Sequence, residues 1–307
     1  PSDGSVMLVG TEATNEIRFE PNLKGTFTRV RVAIANGTTG AEIALEDMNE
    51  EHLDAAQGGV GLAYSDGQVP QSERNKSIGD PRGIAFNPAG TRAYITGMGS
   101  GNIIVINPTT GARLGGVGHA INLRAPTTSD PTPGPTGIVH HGTLNRLYVV
   151  NRFASSVMVI DTASLGNETV IQTEDFYDPT PDYVNEGRDD FYDTHQNSGL
   201  GKIACASCHI DGRNDQLAWD LGDPLGALKT TNQVDENNPG AGEHNLMFDG
   251  TPVGLDPADD FHPMKGPMTT QTLQDIVGKE PFHWRGDRLN LHEFAGAYEG
   301  LLGDDET

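Results

Sequence analysis

The chain is poor in cysteine, in basic residues and in aromatics. Only 20 Lys+Arg stand against 43 Asp+Glu, a formal net charge of −23. So little positive charge excludes a nucleic-acid partner, because phosphate backbones are bound through Lys/Arg patches. It equally excludes docking onto anionic lipid. No apolar run approaches the roughly 18–20 residues that span a bilayer. Aromatics are 6% and hydrophobic residues 35% of the 307 positions. Glycine and proline together make about a fifth of the chain, below the roughly 25–30% of low-complexity sequence. The chain therefore folds, with many turns and long polar loops. An initiator Met is also missing: Pro1 opens the sequence, and no basic stretch followed by an apolar one comes after it. This start predicts a processed mature protein or a piece of a longer one. The length predicts two domains of ordinary size or one large β domain. The acidity itself favours solubility, salt tolerance and basic partners.

What is present first is an internal repeat. Pro81-Arg82-Gly83-Ile84-Ala85-Phe86, Arg92-Ala93-Tyr94-Ile95-Thr96 and Asn102-Ile103-Ile104-Val105-Ile106 recur 54 positions later. The later copies are Pro135-Thr136-Gly137-Ile138-Val139, Arg146-Leu147-Tyr148-Val149-Val150 and Ser156-Val157-Met158-Val159-Ile160. A partial copy, Met7-Leu8-Val9-Gly10 with Asn15 to Pro21, matches the first unit at an offset of 87. Each unit is a Pro-x-Gly opening, a short apolar strand, a polar turn and further short strands. Periodic antiparallel units of this kind are propeller blades. Residues 5–165 resemble the YVTN-type β-propeller repeats, with Arg92–Thr96 and Arg146–Val150 in the signature strand. Some 165 residues supply at most three or four blades, with insertions at 44–80 and 117–134. An open ring would expose strand edges and apolar faces. The expectation is that further blades or another chain complete the ring.

The two cysteines carry the chemistry. They lie in Ala204-Cys205-Ala206-Ser207-Cys208-His209, the C-x-x-C-H attachment sequence of c-type haem. Two thiols three positions apart can each add across a vinyl group of one porphyrin, and the adjoining His209 then sits under the iron. A structural or redox disulfide has no need of the histidine. A zinc site would need two further His or carboxylate ligands, as there is no other cysteine. Covalent haem implies a periplasmic, secreted or cell-surface location.

Later come Lys265-Gly266-Pro267-Met268, Pro281-Phe282-His283-Trp284-Arg285-Gly286-Asp287-Arg288 and Leu291-His292-Glu293-Phe294. Residues 187–302 resemble the N-terminal haem domain of the bacterial dihaem cytochrome c peroxidase and MauG-like family. The resemblance implies His209 as proximal ligand and a distal histidine shortly before Lys-Gly-Pro, where His262 stands. Met264 and Met268 flank the same segment, and thioether is the other common distal ligand. Trp284, Gly286 and Arg288 match the family's Trp-Gly-Arg loop, although Arg285 replaces its Asp and Asp287 intervenes. Arg213, Arg285 and Arg288 could pair with haem propionates, or with carboxylates of the protein. Trp284 is placed at the haem edge or in pocket packing, and Trp219 in the core or pocket wall. His140 and His141 point to opposite faces of a strand and so share no metal. Acidic clusters could hold Ca²⁺, but EF-hand spacing is absent and solvated loops are the default.

The resulting expectation is a multidomain β + α protein. A partial propeller occupies residues 1–172, an acidic Pro-containing linker 173–197, and a mainly α-helical, loop-rich cytochrome c domain 198–307. A short helix is expected to start near Gly187, with further helices near 269–279 and 289–300. The function expected is monohaem electron transfer with a redox partner protein, including other cytochromes. The alternative is part of a dihaem peroxidase or MauG-like oxidase whose second haem lies outside this chain.

Overall fold

The structure is a computed structural model that describes residues 4–14, 24–53, 68–124, 132–220, 247–248, 251–252, 267–284, 286 and 288–304. Three antiparallel meanders dominate it. The first holds β1 (Ser5–Ala13), β2 (Thr28–Asn36) and β3 (Glu42–Asp47). Two short helices, α1 (Glu50–Leu53) and α2 (Gln71–Arg74), lead to the second. There β4 (Pro81–Phe86), β5 (Ala93–Gly97), β6 (Asn102–Ile106) and β7 (Ile121–Asn122) pair in chain order. The third holds β8 (Pro135–His140), β9 (Arg146–Asn151), β10 (Ser156–Asp161) and β11 (Thr169–Asp175) in the same order.

The repeat at 54 residues is visible in the register. Ile84 faces Ile95 in the second meander, and Ile138 faces Val149 in the third. Both opening strands carry an irregularity just after their proline, before Ile84 and before Gly137 respectively. A proline cannot donate to the ladder, so the pairing resumes beyond it.

The meanders stack face to face, with β4 against β8. One core lies between the first and second, built from Val30, Val32 and Ile34 against Ile95, Ile104 and Ile106. A second lies between the second and third, built from Tyr94, Ile103 and Val105 against Leu147, Val149 and Ile160. Side chains alternate across a strand, so adjacent residues of β5 and β6 serve opposite cores. The middle meander is therefore apolar on both faces, and every residue of β5 and β6 is buried. The outer meanders are apolar inward, yet they also leave large aliphatics outward. Val6, Leu8, Ile43 and Leu45 are exposed at one end of the stack, and Val139, Val150, Val170 and Ile171 at the other. This is the arrangement of consecutive propeller blades.

The partial copy at the start needs correction. The strand paired with β1 is Thr28–Asn36, and residues 15–21 lie outside the described residues. The match that identifies β2 is its exit turn. Asn36 Oδ1 accepts from the amides of Thr38 and Thr39, and Asn107 Oδ1 accepts from those of Thr109 and Thr110. Gly40 and Gly111 close the two turns at φ of 71° and 78°, a conformation that suits glycine. The first meander thus corresponds to strands two to four of the others.

After β11 the chain packs back onto this scaffold. The segment expected as a linker holds the end of β11, helix α3 (Asp182–Tyr192) and the turn α4 (Thr194–Asn197). Asp193 caps α4 through the amides of His195 and Gln196 and takes a two-pronged ion pair from Arg124. Leu200, Lys202 and Ile203 are then fully buried. Helix α5 (Cys205–Cys208) follows, and β12 (Ala218–Asp220) pairs with β15 (Pro267–Thr269). Between them β13 (Met247–Phe248) pairs with β14 (Thr251–Pro252).

Described residues after Asn197 form loops and short turns more than helix, unlike the mainly helical region expected. The helix expected at 269–279 is a strand end followed by turns. Thr269, Thr270 and Thr272 are β-branched and lose side-chain freedom in a helix. Their backbone instead bonds the loop after His209: Thr270 N–H donates to Leu217 O, and Leu273 N–H to Gly212 O. The 289–300 stretch gives only a short turn of helix at Leu291–Phe294 and another at Tyr298–Leu302. Among the described residues, no helix is long and apolar enough to cross a membrane.

Candidate functional site

The three motif residues lie where the C-terminal segment meets the propeller blades. Helix α5 is a single turn, so Cys205 and Cys208 share one face. That face is seated in an apolar cluster of Phe27, Ile203, Trp219 and Leu302, flanked by Tyr298 and Leu301. Trp219, placed by sequence in the core or pocket wall, meets the Phe27 ring edge-on at 5.1 Å and donates to Asp215 Oδ2. Phe27 comes from the loop before β2, so one wall of the cluster belongs to the first meander.

The turn is pinned from behind by a second meander residue. Ala204 N–H donates to Ser207 Oγ, and that hydroxyl donates to Asp80 Oδ1 at 2.7 Å. Asp80 precedes β4, is buried, and adopts φ of 49°. Its Oδ2 has no hydrogen-bond partner. Burial raises its carboxyl to about 6, against the lowering effects of Ser207 and Arg82.

Both thiols are free. Burial pushes them up from the ordinary thiol range, and for Cys208 the nearby Asp215 and Asp80 add to it. A thiol held protonated is a poor partner in disulfide exchange, which needs thiolate. Among the described residues, no group of three His, Cys, Asp or Glu could hold a metal ion.

His209 follows the turn with its ring fixed. Its Nδ1 lies 2.8 Å from Gln271 O. A carbonyl only accepts, so Nδ1 carries the proton and Nε2 keeps its lone pair. Burial lowers the imidazole's affinity for a second proton, although the bonds to backbone oppose this. The site can thus offer a neutral imidazole nitrogen beside two thiols outside any disulfide, Cys205 meeting Tyr298 and Cys208 meeting Asp215. The chain turns sharply away from the ring, with Asp211 and Gly212 at φ of 51° and 72°.

Two open grooves adjoin this turn and meet at Asn214. One, of about 400 Å³, is lined by Gln216, Thr269, Gln271 and Trp284. The other, of about 520 Å³, is lined by Arg152, Asp211, Arg213 and Gln274. Neither is lined by the cysteines or His209 themselves. Trp284 is exposed and its indole N–H donates to Thr269 O. Arg213 shares its groove with Arg152 of the third meander, which pairs with Asp211 at 2.7 Å. Met268 sits in β15 opposite Trp219. His262, Met264 and Arg285 lie outside the described residues. His140 stacks on Tyr94, while His141 accepts from the amides of Thr143 and Leu144, so the two rings serve separate contacts.

Sequence reasoning missed Asp80, Asp215, Gln271 and Arg152. Asp80 could have been noticed as the residue leading into a repeat unit. Gln271 acts through its carbonyl, which any residue type would supply.

No family model and no curated protein matches the chain. Among solved structures it is similar to Kuenenia stuttgartiensis hydrazine synthase, at 15% identity over 53% of this chain and 36% of that one, with a TM-score of 0.31. Periplasmic gluconolactonase of Pseudomonas aeruginosa gives 14% identity over 49% and 37%, with a TM-score of 0.29. BamB of Moraxella catarrhalis gives 10% over 58% and 38%, with a TM-score of 0.27. The chain spans less than half the length of each.

Proposed function

We propose that this chain is a monohaem c-type cytochrome module built onto propeller blades, and that it transfers electrons outside the cytoplasm. The observation that carries the reading is the state of His209: its Nδ1–H is spent on Gln271 O, which leaves the Nε2 lone pair as the ring's ligating position, one residue from Cys208 and four from Cys205, neither of them in a disulfide. A histidine that ligates a metal is oriented in this way by its other nitrogen. The donor set fits a covalently held haem, with Cys205 and Cys208 as thioether positions and His209 as proximal ligand. Bound there, haem supplies a one-electron iron centre whose potential depends on its axial ligands and surroundings.

The protein's own part is to exclude water with Phe27, Trp219 and Leu302, to orient His209, and to offer Arg213 and Arg152 as guanidinium partners for carboxylates in the adjoining groove. The distal ligand would come from His262, Met268 or Met264, or the distal position would stay open; of these, Met268 is held in β15 opposite Trp219. A complete dihaem peroxidase would need a second attachment motif, and the chain has only these two cysteines. The exposed aliphatic faces of the two end meanders fit a ring completed by further blades or another chain.

The test is the pyridine haemochrome spectrum of protein made in a host that attaches haem c. Haem that resists acid-acetone extraction, and is lost in Cys205→Ser/Cys208→Ser, supports the reading. Parent protein without covalent haem overturns it.

A further inference from the structure

We infer that the surface formed by the end of β11, the following loop and the first turns of α3 is a docking site for a basic redox protein. Four large side chains stand out there, with Phe176 59%, Tyr177 89%, Tyr183 75% and Val184 38% exposed. Monomeric proteins seldom cluster large apolar and aromatic groups on the surface without an interaction to serve. Tyrosine in particular is favoured where a partner is bound.

The presentation is rigid. Arg188 donates to Asn185 Oδ1 and Thr180 Oγ1 and lies 3.9 Å from Asp178 Oδ2. It also stacks its guanidinium over the Phe153 ring at 5.6 Å. Thr180 N–H donates to Asp178 Oδ1, which fixes the turn just before the helix. Little ordering is therefore left to be done on binding, which favours affinity.

Charge identifies the partner. Residues 174–190 hold seven carboxylates and one arginine, and Glu174, Asp175, Asp182, Glu186 and Asp190 are exposed among the aromatics. An aromatic centre with an acidic surround complements a basic protein face and repels nucleic acid and anionic membrane. The patch also abuts the cysteine turn. Asp190 O accepts from Tyr298 Oη, and Tyr298 hydrogen-bonds the Cys205 side chain. The redox nature of the partner rests on the electron-transfer reading above; its charge rests on the surface alone.

The test uses the full haem-loaded chain and a basic mitochondrial cytochrome c as probe, with binding followed by calorimetry. Affinity is expected to fall about tenfold or more between 10 and 150 mM salt, as the Debye length shrinks from about 30 to about 8 Å. Tyr177→Ser/Tyr183→Ser should weaken binding about tenfold at either salt. Glu174→Gln/Asp182→Asn/Glu186→Gln should flatten the salt dependence. Glu42→Gln/Glu46→Gln, on the distant β3, should change neither. The inference is overturned if the probe does not bind at low salt, or if the β3 variant loses as much as the patch variants. It is also overturned if the parent is a dimer that the tyrosine substitutions dissociate, since the occupant is then a second copy. Binding at the patch without electron exchange upholds the docking site and overturns the electron-transfer reading.

Discussion

Single residues decide how the C-x-x-C-H turn is held. Asp80 is the sharpest case, because the same carboxylate that grips Ser207 is buried with one oxygen unpartnered. A carboxyl raised to about 6 in the fold binds protons more readily than in the unfolded chain. Its ionised form therefore costs stability, and that cost appears as pH rises from the unfolded value of about 4 through 6. Asp80→Asn keeps an oxygen to accept from Ser207 and removes the charge. The expected result is a gain of about 2–3 kcal/mol above pH 7 and little difference near pH 4, read by urea unfolding at both values. Equal effects at the two pH values would contradict the assignment. At this scale the sequence was a partial guide. The C-x-x-C-H spacing singled out Cys205, Cys208 and His209 as candidates. Gln271 was not legible, because its contribution is a backbone carbonyl brought near by folding.

Elements show where pattern reading succeeds and where it stops. Strands β4 to β6 and β8 to β10 were legible, since short β-branched runs recur at a fixed offset and each ends in a polar turn. The first meander was half legible. Met7–Gly10 was recognised, but its partner was placed at 15–20 because an insertion had displaced the true match. The shared Asn-x-Thr-Thr-Gly-Ala turn at 36–41 and 107–112 was the available signal. Its hydrogen bonds give a prediction: Asn107→Ala leaves the amides of Thr109 and Thr110 without Oδ1 and should cost about 1 kcal/mol. Thermal unfolding would show it. Ile104→Ala, in the doubly buried meander, should cost about 2–5 kcal/mol.

The 193–204 segment spans the boundary drawn at 197 between the linker and the following domain, and its polar composition gives no sign of burial. Its side chains are nevertheless buried by contacts distant in sequence. His195 Nε2 donates to Ser77 O, and His52 Nε2 lies 3.1 Å from Ser77 Oγ, which donates to Leu200 O. Burial lowers His195 to about 4 and His52 to about 2. The unfolded chain then takes up protons first as pH falls below about 6.5. Stability from these rings is complete above that value and is lost on descent through it towards about 4. Asp80 acts in the opposite sense over the same range, so it is in Asp80→Asn that the urea midpoint should drop between pH 6.5 and 4. His195→Gln in that background should flatten the drop, and a pH-independent midpoint there would contradict the account.

At the scale of the molecule, two inter-sheet cores join three blades, and the C-terminal segment threads back to complete a small third cluster around the cysteines. The surround of the turn is shared: Phe27 in that cluster and Asp80 behind the turn come from the blades, and Trp219 and Leu302 from the region after them. The cysteine turn is thus part of the scaffold's packing and not a pendant module. This arrangement was beyond sequence reading, because it depends on which loops of the blades face the returning chain. The −23 charge gains a place as well, since part of it surrounds exposed tyrosines beside α3.

The central claim is that the turn at 205–209 carries one covalent haem. Intact-protein mass spectrometry of chain produced with haem c maturation tests it most directly. The account predicts the mass of the polypeptide plus one haem, falling to the bare polypeptide in Cys205→Ser/Cys208→Ser. Bare polypeptide from the parent chain, in a host that loads a control cytochrome c, would contradict it.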